Sequence, residues 1–468
     1  MKAYLSCVGV AVVVGGFFAC GGSVSKNAPP ASQTDAGPVT EEAAAPEAAV
    51  EEPPPVDNGA PSSTYPAFTP DFGQVQDQGG LIMKNPVIVA VTWNDDPSQA
   101  TYEAFADNIG NTSYWAAVTS EYGVGPAVSG TANHAHVSTA IPTSITDSDL
   151  QQMVTANAGT VVTGDAGTGW PASTPDTIYA FFLPPGTSLT GVAGINGDTC
   201  SAGVGGYHSQ VNNTGPTYAV VPSCNFKILP SAADQTTASM SHELIESSTD
   251  PQPNGNTPGY LGFAFDPFAF EAFYINYQLF EAEVSDACEI FNGIFFQDVE
   301  TTPGAFSAYV QRSWSNKAGP AGHNPCVPQA ADEPYFNVAP LDMQAVNVSL
   351  PAQLTGSAST TLQPTKGYKI AAGATGTFQV GFYSDADTGG PWEISASAGN
   401  PIPGANNTQI NKSSLTVSTD LTSGVNGQKA WVTVKVASTG TTFKGEFVTI
   451  TSSLNGTSNY MPIWIAGD

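Results

Sequence analysis

An unbroken run rich in β-branched residues, Asn85-Pro-Val-Ile-Val-Ala-Val-Thr-Trp93, offers no polar side to water. As a strand it must be covered on both faces, which is the signature of a layered α/β protein. The neighbouring segments agree. Thr101 to Ile109 and Tyr114 to Tyr122 read as helices, Ala135 to Ile141 as a strand, and Thr146 to Asn157 as a helix opened by a Thr146/Asp149 capping box. Asp176 to Leu183 and Thr217 to Pro222 supply further strands. Strands and helices in alternation imply an α/β (α+β) core with a mixed sheet, assigned to residues 70–330.

Past that core the texture changes. Residues 335–468 carry few helix formers and many Thr, Ser, Gly and Asn between short alternating segments: Gly376 to Tyr383, Ser414 to Thr419, Lys429 to Val436, Phe447 to Ser452 and Asn459 to Ile465. Such spacing predicts an all-β sandwich. It holds no chemical motif and is assigned to support or ligand binding.

The opening residues address the chain for export. Lys2 precedes an apolar run from Val8 to Ala19 that is too short to span a bilayer and suits a signal peptide, residues 1–19. Phe17-Phe18-Ala19-Cys20-Gly21-Gly22 resembles a bacterial lipoprotein cleavage site, with Cys20 as the lipidated first mature residue. Phe17 stands where Leu is usual, so ordinary cleavage nearby is the alternative. Residues 20–69, rich in Ala, Pro, Ser and Glu, bury too little apolar surface to offset ordering entropy and read as a disordered acidic tether. The expected location is the cell envelope, as an outer-membrane-anchored lipoprotein or at the cell surface, with the lipid as membrane contact.

With 12 Lys and Arg against 40 Asp and Glu, the chain has a formal net charge of -28, and Arg312 is its only arginine. Clustered cations are what grip phosphates, so nucleic acid is excluded as an expected partner. Cations suit the chain better, although an acidic soluble surface accounts for most of the charge. After Cys7 and Cys20, four cysteines remain: Cys200, Cys224, Cys288 and Cys326. In an oxidising compartment they read as two disulfides, with the sequence-local pairing Cys200–Cys224 and Cys288–Cys326 preferred among three connectivities. A four-cysteine zinc site lacks any close Cys-x-x-Cys pair.

The segment with chemistry runs from Ser231 to Pro251 and contains Ser241-His242-Glu243-Leu244-Ile245-Glu246. Pro230, Ser231 and Asp234 start a helix, and Asp250-Pro251 stops it about five turns later. His242 and Glu246 then share one helix face and can converge on a single divalent ion, while Glu243 points at a water on that ion. This is the logic of His-Glu-x-x-His metallopeptidases with a carboxylate as second ligand. A capped acidic surface turn gives the same spelling by accident.

Further pieces accompany it: Gly206-Tyr207-His208, Tyr218-Ala219-Val220-Val221-Pro222, Glu283-Val284-Ser285-Asp286-Ala287-Cys288, and Tyr114-Trp115 with Ser120-Glu121-Tyr122-Gly123-Val124-Gly125. In combination they resemble the phosphate-induced, Exordium-like proteins first known from plants, and especially a bacterial branch of that family. The likeness covers about Pro86 to Cys326. It departs at Ser285, where the pattern has Gly, and at an aromatic-rich insertion from Gln252 to Phe280. Plant members of the family are degenerate at the His-Glu-x-x-Glu position and are associated with extracellular growth signalling. Retention here of every acid-base and ligand residue type implies a working centre on a zincin-like core with an active-site helix.

A catalytic zinc site takes three protein ligands and a water. The expectation is therefore zinc held by His242, Glu246 and Glu283, with Glu243 as general base and His208 contacting substrate. Asp286, Asp250 and His208 are rival third ligands. His134-Ala135-His136 sets two imidazoles on one strand face, a geometry some zinc sites use and a half-exposed strand explains equally well. Calcium would suit the carboxylates but not His242. Two functions follow as expectations: an exported zinc-dependent metallopeptidase or related hydrolase acting on protein or peptide, and a non-catalytic envelope or matrix protein binding a wall polymer or partner.

Overall fold

The computed structural model describes residues 57–160, 170–255, 257–263, 283–288, 295–296, 307–330, 332–350, 361–399, 414–438 and 445–467. The signal peptide, Cys20, the first part of the tether and the insertion from residue 264 onward lie outside them.

The protein is mixed α/β, with its C-terminal part built of β-sheet. The central sheet has five strands: β1 (Val87–Trp93), β2 (His134–Val137), β3 (Thr177–Phe182), β4 (Tyr207–Gln210) and β5 (Thr217–Val221). Their spatial order is β2-β1-β3-β5-β4. All neighbours are parallel except β4, which runs antiparallel to β5 at one edge. From Ile88 onward β1 is buried on both sides, as its composition demanded. The strand expected from Ala135 to Ile141 ends at Val137, because β1, its partner among the described residues, ends at Trp93.

Helices cover both faces. On one lie α1 (Gln99–Ile109), α2 (Ser113–Thr119) and α4 (Ala232–Thr249); on the other lies α3 (Asp147–Asn157). Tyr102, Phe105, Ala106 and Ile109 recur at helical spacing and bury the inner stripe of α1, where Tyr102 stacks on Phe182 of β3 with centroids 4.9 Å apart. α3 begins with the expected capping box: Asp149 N–H donates to Thr146 Oγ1, and Thr146 N–H donates to Asp149.

One cross-strand row bears on function. Reading across the sheet, His134, Ala90, Ala180, Ala219 and His208 sit side by side. Three alanines in the middle let α1 and α4 approach the sheet closely, and a histidine stands at each edge.

In the C-terminal part, a four-stranded sheet that includes Phe336–Pro340, Thr375–Ser384 and Lys429–Val436 and a six-stranded sheet that includes Gly445–Leu454 and Thr457–Ala466 share one apolar core. Each of the five strands expected there is present within a residue or two of its expected ends, or slightly longer. The stretch expected to stay free as far as Thr69 is laid against these sheets from Asp57 onward. Asn426 donates to the carbonyls of Ser62 and Thr64, Asn58 donates to Lys429 O and Asp420, and Phe68 packs beside Tyr335 and Tyr383. The physical reason is local: Phe68, packed beside Tyr335 and Tyr383, gives this end of the tether buried apolar surface that the Pro/Glu-rich part lacks.

Candidate metal centre

The helix carrying the motif begins where Ser231 Oγ accepts from Asp234 N–H at 3.1 Å and ends with Asp250 as C-cap, its N–H bonded to Glu246 O. Its outer turns pack under β5, β4 and β3, so even its polar residues from Ser241 to Asp250 are buried. His242 and Glu246 meet as their spacing predicts: His242 Nε2 is 2.9 Å from Glu246 Oε2.

A second histidine reaches the same oxygen. His208 is fixed on β4 through Nε2, which lies 3.0 Å from the carbonyl of Asp250. A carbonyl can only accept, so Nε2 carries the proton and Nδ1 presents a lone pair. That lone pair faces Glu243 Oε2 at 3.6 Å and Glu246 Oε2 at 3.8 Å. A lone pair pressed against two carboxylates is repulsive, and a cation between them removes the repulsion.

The other carboxylates come from a short turn. Val284, Ser285 and Asp286 pack against α4, with the N–H groups of Ser285 and Asp286 both donating to Glu246 Oε1, at 3.1 and 3.0 Å. Glu246 Oε2 is thereby turned towards the histidines. Asp286 Oδ1 lies 3.4 Å from His242 Nε2. The turn is held from outside by the Cys288–Cys326 disulfide, and the loop before α4 by Cys200–Cys224, the two pairings the sequence favoured. Gly206 explains the first word of the Gly-Tyr-His element: a Cβ there would sit 2.6 Å from Glu243 Oε1 and 3.1 Å from Val221 Cγ2. Only glycine leaves room for the Glu243 carboxylate.

Among the described residues, two overlapping triads can hold an ion here: His208 with Glu243 and Glu246, and His242 with Glu246 and Asp286. Glu283 forms part of neither. Its Oε1 is buried without a hydrogen-bond partner, 3.4 Å from His208 Nε2, whose proton is committed to Asp250. The sequence thus located His242, Glu246 and Glu243 by their helix spacing, gave His208 a substrate contact, and named His208 and Asp286, with Asp250, as rivals to Glu283 for the third ligand. The signal that would have ranked His208 higher is the cross-strand row, which no single segment reveals.

Electrostatically the cluster is under strain. Burial and the neighbouring Asp286 charge push the Glu246 carboxyl from its ordinary 4.5 up to about 7. Burial and the charges of Glu246, Asp250, Asp286 and Glu243 hold Glu283 well above the carboxylate range. Burial opposes protonation of His242 and His208, but Glu246 and Glu243 outweigh it and raise both. Four carboxylates and two imidazoles in a dry pocket are stable only if protons or a cation neutralise them. The donor set of imidazole nitrogens with carboxylate oxygens fits a borderline divalent ion such as zinc better than calcium.

No protein-family model matches the chain, and no curated protein matches it.

Proposed function

We propose that this chain is an exported, envelope-associated metal-dependent hydrolase of the Exordium-like kind, built on a zincin-like core and acting on peptide bonds. The observation that carries the reading is that His242 Nε2 lies 2.9 Å from Glu246 Oε2 and 3.4 Å from Asp286 Oδ1, with His208 and the Glu243 carboxylate in an overlapping group that shares Glu246. His242, Glu246 and Asp286 would hold zinc, with His208 and Glu243 beside it, so Asp286 takes the third position expected for Glu283. A zinc ion there supplies Lewis acidity, polarising a carbonyl and lowering the pKa of water towards about 7.

The remaining chemistry belongs to the chain. Glu243 takes the proton of the attacking water on Oε2 and returns it to the departing amine. Asp250 O holds the His208 ring in one tautomer, and the Ser285 and Asp286 N–H groups occupy Glu246 Oε1, leaving Oε2 towards His242. The two disulfides support an oxidising, extracytoplasmic compartment, whereas lipid anchoring at Cys20 and the envelope location rest on the first residues of the sequence alone.

The test is Glu243→Gln in the full chain, assayed on a peptide library with and without chelator. The variant should retain its zinc and lose cleavage by at least a hundredfold; cleavage at the rate of the parent eliminates Glu243 as the base. A second reading draws support from burial, since His208, His242, Glu243 and Glu246 are all buried. In it the ion is a closed structural clamp in an envelope protein that binds a wall polymer or partner. Bound zinc with no chelator-sensitive cleavage of any peptide selects that reading.

A further inference from the structure

The opposite end of the cross-sheet row carries a second cluster of the same kind. His134 and His136 project from edge strand β2 towards α1, on the face away from Ala135. α1 answers with Glu103 and Asp107, one turn apart on one side of the helix. His136 Nε2 lies 2.8 Å from Glu103 Oε1, His134 Nδ1 lies 3.3 Å from Glu103 Oε2, and His134 Nε2 lies 2.9 Å from Asp107 Oδ1. Thr92 Oγ1 donates to Glu103 Oε1 at 2.8 Å and fixes that carboxylate from the neighbouring strand.

The decisive feature is His134. Both of its ring nitrogens face carboxylate oxygens, which only accept, and a neutral imidazole has one hydrogen to give. If Nε2–H donates to Asp107, the Nδ1 lone pair points at the Glu103 carboxylate, and His136 Nε2 meets that same carboxylate from the other side. A carboxylate that orients a histidine so that its other nitrogen faces a third group is the outer arrangement of a metal-bound histidine. Donors about 2.1 Å from a tetrahedral ion stand roughly 3.4 Å from one another, close to the 3.3 Å between His134 Nδ1 and Glu103 Oε2. One donor atom from each of Glu103, His134 and His136 lies within 4.8 Å of the others.

We propose that Glu103, His134 and His136 form a second divalent-metal site, oriented by Asp107 and Thr92, that takes a borderline transition-metal ion. Two imidazoles exclude calcium and magnesium as preferred occupants. Its place in the fold gives it a role: it clips the four-residue edge strand β2 to α1. At four strand spacings, about 19 Å, it is too far from the His208 end of the row to share an ion with the first centre. His136 is 22% exposed, so an ion can enter from bulk water.

The experiment is a zinc titration of the full, chelator-stripped chain against a chromogenic competitor, with stoichiometry as the readout. In parallel, cobalt absorption reports nitrogen coordination. The parent, His136→Ala, His242→Ala and the double variant are compared, with Glu103→Gln as a near-isosteric control against misfolding. His136→Ala and Glu103→Gln should each lose one equivalent while His242→Ala keeps it, whether or not the first centre binds zinc. If the first centre is also a zinc site, the parent binds two equivalents and the double variant none. An unchanged stoichiometry in a folded Glu103→Gln or His136→Ala chain overturns the proposal and leaves an imidazolium–carboxylate cluster in its place.

Discussion

Removing the ion from the first centre should make the protein's stability fall as pH rises, opposite to the usual behaviour of a protein with paired carboxylates. Folding raises the Glu246 carboxyl from 4.5 to about 7. At about 1.4 kcal/mol per pH unit, the metal-free native state loses about 3 kcal/mol as the pH climbs through that window, because it holds a proton the unfolded chain has released. Glu283 is raised in the same sense. His242 and His208 add to it: with folded pKa values above 6.5, their contribution is present below 6.5 and lost as pH rises through the folded values. For a cooperative unit of about 260 residues, 3 kcal/mol corresponds to about 6 °C in Tm. Bound zinc would replace those protons, and at a hundredfold excess over its Kd would add about 2.7 kcal/mol. Thermal melts followed by circular dichroism between pH 5 and 8, with chelator and with zinc, should therefore coincide near pH 5 and separate by several degrees towards pH 8. Raised carboxyls elsewhere, such as Asp96 and Glu121, act on both curves alike and cancel in the difference. Parallel curves, or a metal-free protein that gains stability with pH, would refute the argument that this cluster is built around a cation.

Two substitutions probe the site's geometry. Gly206→Ala places a methyl 2.6 Å from Glu243 Oε1, a flexible carboxylate end that can swing away; turnover should fall at least tenfold with zinc content and Tm nearly unchanged, and an unaffected kcat would show that Glu243 is not held where the base must act. Asp286→Asn and Glu283→Gln separate the two candidate outer ligands: the first should weaken zinc at least tenfold, about 1.4 kcal/mol, and the second much less, as competition titration will show. The reverse order would restore Glu283 as the third ligand.

How much of this could be read from residues alone depends on range. β1 was legible because a strand buried on both faces must be apolar throughout, and α3 and α4 were legible because Thr146 with Asp149 and Ser231 with Asp234 are local caps. The pairing of four cysteines followed from proximity in sequence. His242 and Glu246 were found for the same reason, being one turn apart on one helix. His208 and Asp286 were not ranked, because their approach to Glu246 depends on β4 returning antiparallel beside β5 and on the Ser285–Asp286 turn docking by its N–H groups. His134 and His136 were visible as a strand pair, yet a strand pair alone cannot be told from a half-exposed edge. What distinguishes them is Glu103 and Asp107 arriving from α1, whose apolar stripe packs on the sheet where Ala90 and Ala180 leave room for it. The small residues of that row therefore do more than fill the core: by letting two helices settle close to one sheet, they bring acidic side chains against a histidine at each edge. An Ala180→Leu substitution should test this coupling, since a larger side chain lifts α1 and α4 together and should weaken zinc at both edges at once, whereas a loss confined to one edge would mean that each cluster is positioned by its own strand.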